Sequence, residues 1–127
     1  MRRVGFTASS FDLLHAGHIQ MLREAKEQCD YLICGLNIYP DKPIIQNVVE
    51  RYTQLKAVSY VDEIIPYSSE LDLLDILALY PIDVRVLGEE YRDKEFTGKS
   101  LGIDVYFNKR NHRFSSTYLR RRVNEVL

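Results

Sequence analysis

Ser9-Ser10-Phe11-Asp12-Leu13-Leu14-His15-Ala16-Gly17-His18, directly after the apolar run Val4-Gly5-Phe6-Thr7, is the stretch on which the reading of this chain turns. The run predicts a first strand, the polar residues a tight turn, and the histidine pair the opening of a first helix. A helix N-terminus carries unpaired backbone N–H groups and a partial positive charge, so it suits an anion, a phosphate above all. Two imidazoles at that opening add donors aimed at the same place, and Gly17 keeps the backbone between them uncrowded.

Outward from this turn, helical and strand patterns alternate. Ile19, Leu22, Ala25 and Cys29 mark one helical face, and Tyr31-Leu32-Ile33-Cys34-Gly35 a buried strand. A loop with Pro40, Asp41, Lys42 and Pro43 leads to Asn47-Val48-Val49-Glu50, a capping box for a helix carrying Val48, Tyr52, Leu55 and Val58. Glu63-Ile64-Ile65-Pro66 reads as a strand, and Leu71, Leu74, Leu77 and Ala78 as a helix stopped near Pro81. Val84-Arg85-Val86-Leu87 and Val105-Tyr106-Phe107 complete the strands; Ser115-Ser116-Thr117 caps a last helix with Leu119, Val123 and Val126 on one side. Strands separated by single helices predict α/β architecture: one Rossmann-like, doubly wound parallel sheet of about five strands flanked by helices. Residues 1–127 form a single domain in this reading, with no repeat or linker, and ligands belong at the carboxyl ends of the strands.

Composition narrows the function classes. Seventeen basic residues against eighteen acidic leave no global field, so neither nucleic acid nor a membrane surface is an expected partner. Apolar runs of a few residues exclude a membrane-spanning helix, and Met1-Arg2-Arg3 leads straight into a strand with no signal region. Cys29 and Cys34, with no second pair, read as buried thiols of a reducing compartment, so the expected location is the cytoplasm.

The histidine pair taken alone admits three readings: one core and one cap histidine, a shared metal ion, or a phosphate site. No third ligand of suitable type lies nearby in sequence, which disfavours the metal. The chain lacks a G-x-G-x-x-G, which disfavours a dinucleotide and hydride chemistry. Lys109 to Arg122 holds six Lys or Arg and no acidic residue. Arg120 to Arg122 read as a solvated helix face. Arg110, Ser115, Ser116 and Thr117 fall between the last strand and a helix start, opposite His15 and His18, where a triphosphate can be held. Lys42 sits in the loop after the second strand, either as a surface lysine or as a phosphate contact. Gly88-Glu89-Glu90-Tyr91 ends the fourth strand, where a turn with exposed acids and a nucleobase site are both open readings. Arg92 to Lys99 is polar and irregular, a candidate flexible loop.

These motifs together resemble the HxGH nucleotidyltransferases, and within them the short cytidylyltransferases of the glycerol-3-phosphate type, from Val4 to about Val123. Phe11-Asp12-Leu13-Leu14 before the histidines, Tyr60-Val61-Asp62-Glu63-Ile64-Ile65-Pro66, the Gly88 segment, and Arg110 with the hydroxyl triplet carry the resemblance. It implies transfer of a nucleotidyl group from a nucleoside triphosphate to a small phosphorylated alcohol, with pyrophosphate released. His15 and His18 are then donors to α- and β-phosphate oxygens, and Lys42, Arg110, Ser116 and Thr117 hold the leaving group. Ser9, Ser10, Phe11, Gly17, Gly88, Glu90, Tyr91 and Ser115 line the nucleotide. Asp12, Arg51 and Arg113 fall to the substrate, Asp12 by orienting a histidine, binding a hydroxyl or placing Mg²⁺ through water. Mg²⁺ arrives with the triphosphate, no residue being assigned as a metal ligand. Relatives are commonly homodimers, and Leu71 to Tyr80 is one candidate interface.

Several positions depart from the family pattern. Ser9-Ser10 stands for Gly-Thr, and Asn111, Arg113 and Phe114 replace Thr, Gly and Ile. Ser59 stands where cytidylyltransferases often carry an arginine that helps hold CTP and heptose-phosphate adenylyltransferases do not. Two alternatives follow: an adenylyltransferase using ATP and a sugar phosphate, and a catalytically silent nucleotide-binding module.

Overall fold

The computed structural model describes residues 2–109 and 115–126. Five strands, β1 (Val4–Ser9), β2 (Tyr31–Asn37), β3 (Glu63–Tyr67), β4 (Val84–Gly88) and β5 (Asp104–Asn108), form one sheet in the order β3-β2-β1-β4-β5. Every neighbouring pair is parallel, as the alternating pattern predicts. Helices α1 (Ala16–Glu27), α2 (Val48–Lys56), α3 (Glu70–Leu79) and α4 (Ser116–Val126) complete the fold. The chain winds from β1 through β2 to β3, then returns to the other side of β1. The carboxyl ends of β1 and β4 therefore flank the switch point, where the crossovers leave in opposite directions and open a crevice.

Period-two alternation sends the side chains of each strand to two cores. Leu32, Cys34, Leu36 and Val86 pack with Leu22 and Ala25 of α1 and Leu55 of α2 on one face. Val4, Phe6 and Ile33 pack with Tyr67 and with Leu73, Ile76 and Leu77 of α3 on the other. Cys34 is buried and Cys29 half-buried, both as free thiols, and burial pushes both up from the ordinary thiol range.

Two helical faces differ from expectation. Helix α3 is apolar nearly all round, so several stripes were open; the helix turns Leu73, Ile76 and Leu77 inward and leaves Leu71 and Ala78 exposed. Helix α2 forms with the expected Asn47/Glu50 capping box, each side chain bonded to the other's backbone N–H. Its buried face is Arg51 with Leu55, whereas Val48 and Tyr52 are exposed. Leu119, Val123 and Val126 of α4 are likewise exposed. Among the described residues no helix is long and apolar enough to cross a membrane.

Candidate active site

The turn between β1 and α1 is backbone under strain. Phe11 and Leu13 take φ of 51° and 49°, the left-handed region that residues with a Cβ avoid. Such conformations persist only where surrounding bonds fix them, and here three sets do. Phe11 is wholly buried in the core. The Asp12 carboxylate accepts from the backbone N–H of Ile45 and of Gln46, both at 2.9 Å, and the Gln46 side chain accepts from Leu13 N at 2.7 Å. Arg51, only 1% exposed, donates to the carbonyls of Ser10, Asn37, Ile38 and Gln46. The segment before α2 is thus clamped to the turn before α1.

These clamps engage four of the expected site residues. Both Asp12 oxygens are spent on backbone amides, which, with Arg51 close by, hold its carboxyl below the usual range against the opposing effect of burial. Arg51 serves carbonyls, Phe11 packs in the core, and Ser10 is buried with its carbonyl on Arg51. None of the four lines the cavity described below.

What the clamped turn presents is an interlocked histidine cap. His15 is the N-cap of α1, and its Nδ1 accepts from Gly17 N at 3.0 Å. His18, one turn on, accepts from His15 N through its own Nδ1 at 3.1 Å. The ring centroids lie 4.0 Å apart. This is a capping box with imidazoles in the parts usually taken by Ser or Thr and Glu. An Nδ1 that accepts a hydrogen bond carries no proton, so in the neutral ring the proton sits on Nε2. Burial, reinforced by His15 and Lys42, pushes His18 down to about 4. His18 is therefore a neutral imidazole with Nε2–H as its donor.

Both histidines line a cavity of about 1090 Å³ over the ends of β1 and β4. Ser9, Gly17, Lys42, Gly88, Glu90, Tyr91 and Ser115 line it as well, so the fold gathers most of the expected site from four separate stretches. Ser115 also caps α4, its Oγ accepting from Tyr118 N at 3.0 Å. Thr117 is exposed in the first turn of α4 and does not line the cavity. Arg110 and Arg113 lie outside the described residues, as does the side chain of Ser116. Gly88 lies close over Glu90: a Cβ there would meet its carboxylate at 2.4 Å.

Asn108 and Arg85 are among the cavity residues that escaped the sequence reading. Among the described residues, Asn108, 5% exposed at the end of β5, has a buried Oδ1 without a partner, and Arg85 of β4 has a buried Nε without one. A polar side chain inside a strand pattern was the signal available for both. Of the cavity's carboxylates, Glu24 accepts from Tyr106 and from Lys109 N, Glu27 pairs with Arg23, and Glu95 pairs with Lys99. Among the described residues no three His, Cys, Asp or Glu converge on a point where a metal ion could be held. Mg²⁺ at such a site would come bound to a triphosphate, with phosphate oxygens and water as its ligands.

Residues 6–122 match the family described as cytidylyltransferase-like. A glycerol-3-phosphate cytidylyltransferase of Staphylococcus aureus is 33% identical over 125 residues, covering 94% of this chain and 93% of that protein. The bifunctional protein HldE of Caulobacter vibrioides is 37% identical over 107 residues, 78% of this chain but 22% of HldE. The chain thus spans about a fifth of the length of the HldE proteins it matches. A lipopolysaccharide core biosynthesis protein from Thermoplasma volcanium has the same fold, with a TM-score of 0.71 at 24% identity over 87% of this chain and 100% of that one.

Proposed function

The chain belongs to the cytidylyltransferase-like family, and on that premise we propose that it transfers CMP from CTP to a small phosphorylated alcohol such as glycerol 3-phosphate. It is a nucleotidyltransferase, and the reaction class sets what the protein must do. The acceptor's phosphate oxygen bonds to the α-phosphorus, the bond from that phosphorus to the β-phosphate oxygen breaks, and pyrophosphate leaves with the electron pair. The acceptor is already ionised, so no strong base is needed. Alignment and charge stabilisation remain, and the interlocked His15/His18 cap at the head of α1 is the observation that carries the reading. Each ring is fixed by its Nδ1, so its Nε2–H is preorganised before the nucleotide arrives. The neutral state of His18 suits donation to phosphate oxygens without proton transfer. Lys42 supplies positive charge over the same cavity, and Arg110 and Ser116 are assigned to the leaving pyrophosphate. Mg²⁺ bound with the triphosphate neutralises part of its charge.

Ser59 carries a second reading, ATP as donor with a sugar phosphate as acceptor. It is exposed in the turn between α2 and β3, where the family's CTP-holding arginine is missing. A homodimer in a reducing compartment completes the proposal: the thiols are free, and apolar side chains stand exposed at Tyr39, Ile45 and Val49 and again at Leu71 and Leu79.

Pyrophosphate release with Mg²⁺, CTP or ATP, and a panel of phosphorylated polyols and sugars tests the assignment. Turnover with CTP and glycerol 3-phosphate that drops about 10²- to 10³-fold in His18→Ala is the expected result. Turnover with ATP alone would replace the donor, and nucleotide binding without turnover on any acceptor would leave a silent binding module.

A further inference from the structure

The cavity has two sides, and the histidine cap accounts for one of them. Val86 turns to the α1 face of the sheet, so Arg85, its neighbour on β4, turns to the α3 face, beside Phe6 and its partners. Arg85 is 4% exposed. It donates through one terminal nitrogen to the Thr97 carbonyl, and its guanidinium lies 5.2 Å from the Phe96 ring centre. Its Nε–H, buried, has no acceptor. Arg85, Tyr67, Glu70, Phe96 and Thr97 all line this side of the cavity. A buried cationic donor left unpaired is costly, and Arg85 is among the residues that line the cavity.

We infer that this side seats the hydroxylated body of the acceptor, and that Arg85 selects it by donating its unpaired Nε–H to an acceptor hydroxyl. The inference rests on the nucleotidyl-transfer reading, in which phosphates occupy the α1 terminus and the base occupies the Gly88–Tyr91 turn, leaving the α3 side for the third component. Charge disfavours a second phosphate there: Glu70 lies close enough to offset Arg85, whereas Lys42 acts on His18 at the histidine side. The Glu70 carboxylate, which accepts from the Thr97 hydroxyl, retains lone pairs for further donors, and Tyr67 adds a phenol. Alternating donors and acceptors beside an aromatic ring recognise polyhydroxyl compounds better than they recognise anions or alkyl chains.

Binding of glycerol 3-phosphate, ribose 5-phosphate and mannose 1-phosphate is to be compared with propyl phosphate, which has the phosphate and no hydroxyl. Calorimetry with Mg²⁺ and a CTP analogue carrying a methylene bridge between the α- and β-phosphates measures this with no turnover possible. The wild type is expected to favour at least one hydroxylated phosphate by roughly 10- to 100-fold, and Arg85→Leu to bring that preference within about threefold while CTP binding is unchanged. Should Arg85→Leu not fold, Glu70→Ala, on the exposed first turn of α3, is expected to lower the preference in the same direction. No preference in the wild type, a preference that survives substitution, or a loss confined to CTP would overturn the assignment. Pyrophosphate release measured alongside separates this outcome from failure of the transferase reading.

Discussion

In the proposed reaction His15 and His18 do two jobs with two different nitrogens. Nδ1 of each replaces a backbone partner that the helix start lacks and fixes the ring, and Nε2–H is the proposed donor to phosphate. The jobs are separable by substitution. An Asn at position 15 keeps an acceptor for the N-cap but has no counterpart of Nε2, so His15→Asn should unfold within about 0.5 kcal/mol of wild type and lose about 10²-fold in kcat. His15→Ala should lose both, with an added stability cost of about 1 kcal/mol in urea titrations. The protonation state of His18 is open to a direct test: its imidazole should titrate near 4 in ¹H–¹⁵N spectra, with Nδ1 as the unprotonated nitrogen above that pH. The sign for stability follows. Above pH 6.5 both folded and unfolded chains carry a neutral His18; between 6.5 and about 4 only the unfolded chain is protonated, so stability falls as pH falls through that window. Asp12, whose carboxyl is held low in the folded state, continues the loss below the ordinary carboxylate range.

At the scale of elements, the β1–α1 turn and the start of α2 act as one unit. The left-handed Phe11 and Leu13 cost free energy that Asp12, Gln46 and Arg51 offset through bonds from a segment more than thirty residues away. Arg51→Met should therefore be costly despite its similar length. It leaves the buried carbonyls of Ser10, Asn37 and Ile38 without their donor, and a loss of at least about 3 kcal/mol is expected from urea midpoints. The strands, the capping box of α2 and the cap of α1 were legible in the sequence because each is set by residues within a turn of one another. The Arg51 and Asp12 clamps were not, because their partners are backbone groups, and backbone groups leave no trace in residue type. The buried stripe of α3 was hidden for a different reason: a helix apolar around most of its circumference offers several candidate faces until the sheet selects one.

For the whole molecule, sheet order decides where the cavity lies, and sheet order is made by pairing between distant strands. Placing β1 between β2 and β4 brings His15, Lys42, Gly88 and Ser115 to one rim although the sequence spreads them over a hundred residues. The proposed dimer belongs to this scale as well. Val49 and Leu79 are 70% and 81% exposed on different elements, so Val49→Glu and Leu79→Glu probe separate faces. Sedimentation velocity should show a dimer for the wild type and a monomer for one of these variants; two undisturbed dimers would put the interface elsewhere, and a monomeric wild type would remove it.

The sequence by itself determined the α/β alternation, the phosphate-suited helix start with its two histidines, and the family resemblance, since all three reside in local pattern and composition. Only the tertiary structure decided which motif residues face the cavity and which hold the turn. It took Phe11, Asp12 and Arg51 into the scaffold and revealed Arg85 and Asn108 at the site. Burial and hydrogen-bond pairing depend on what the rest of the chain brings alongside, and no single residue carries that information.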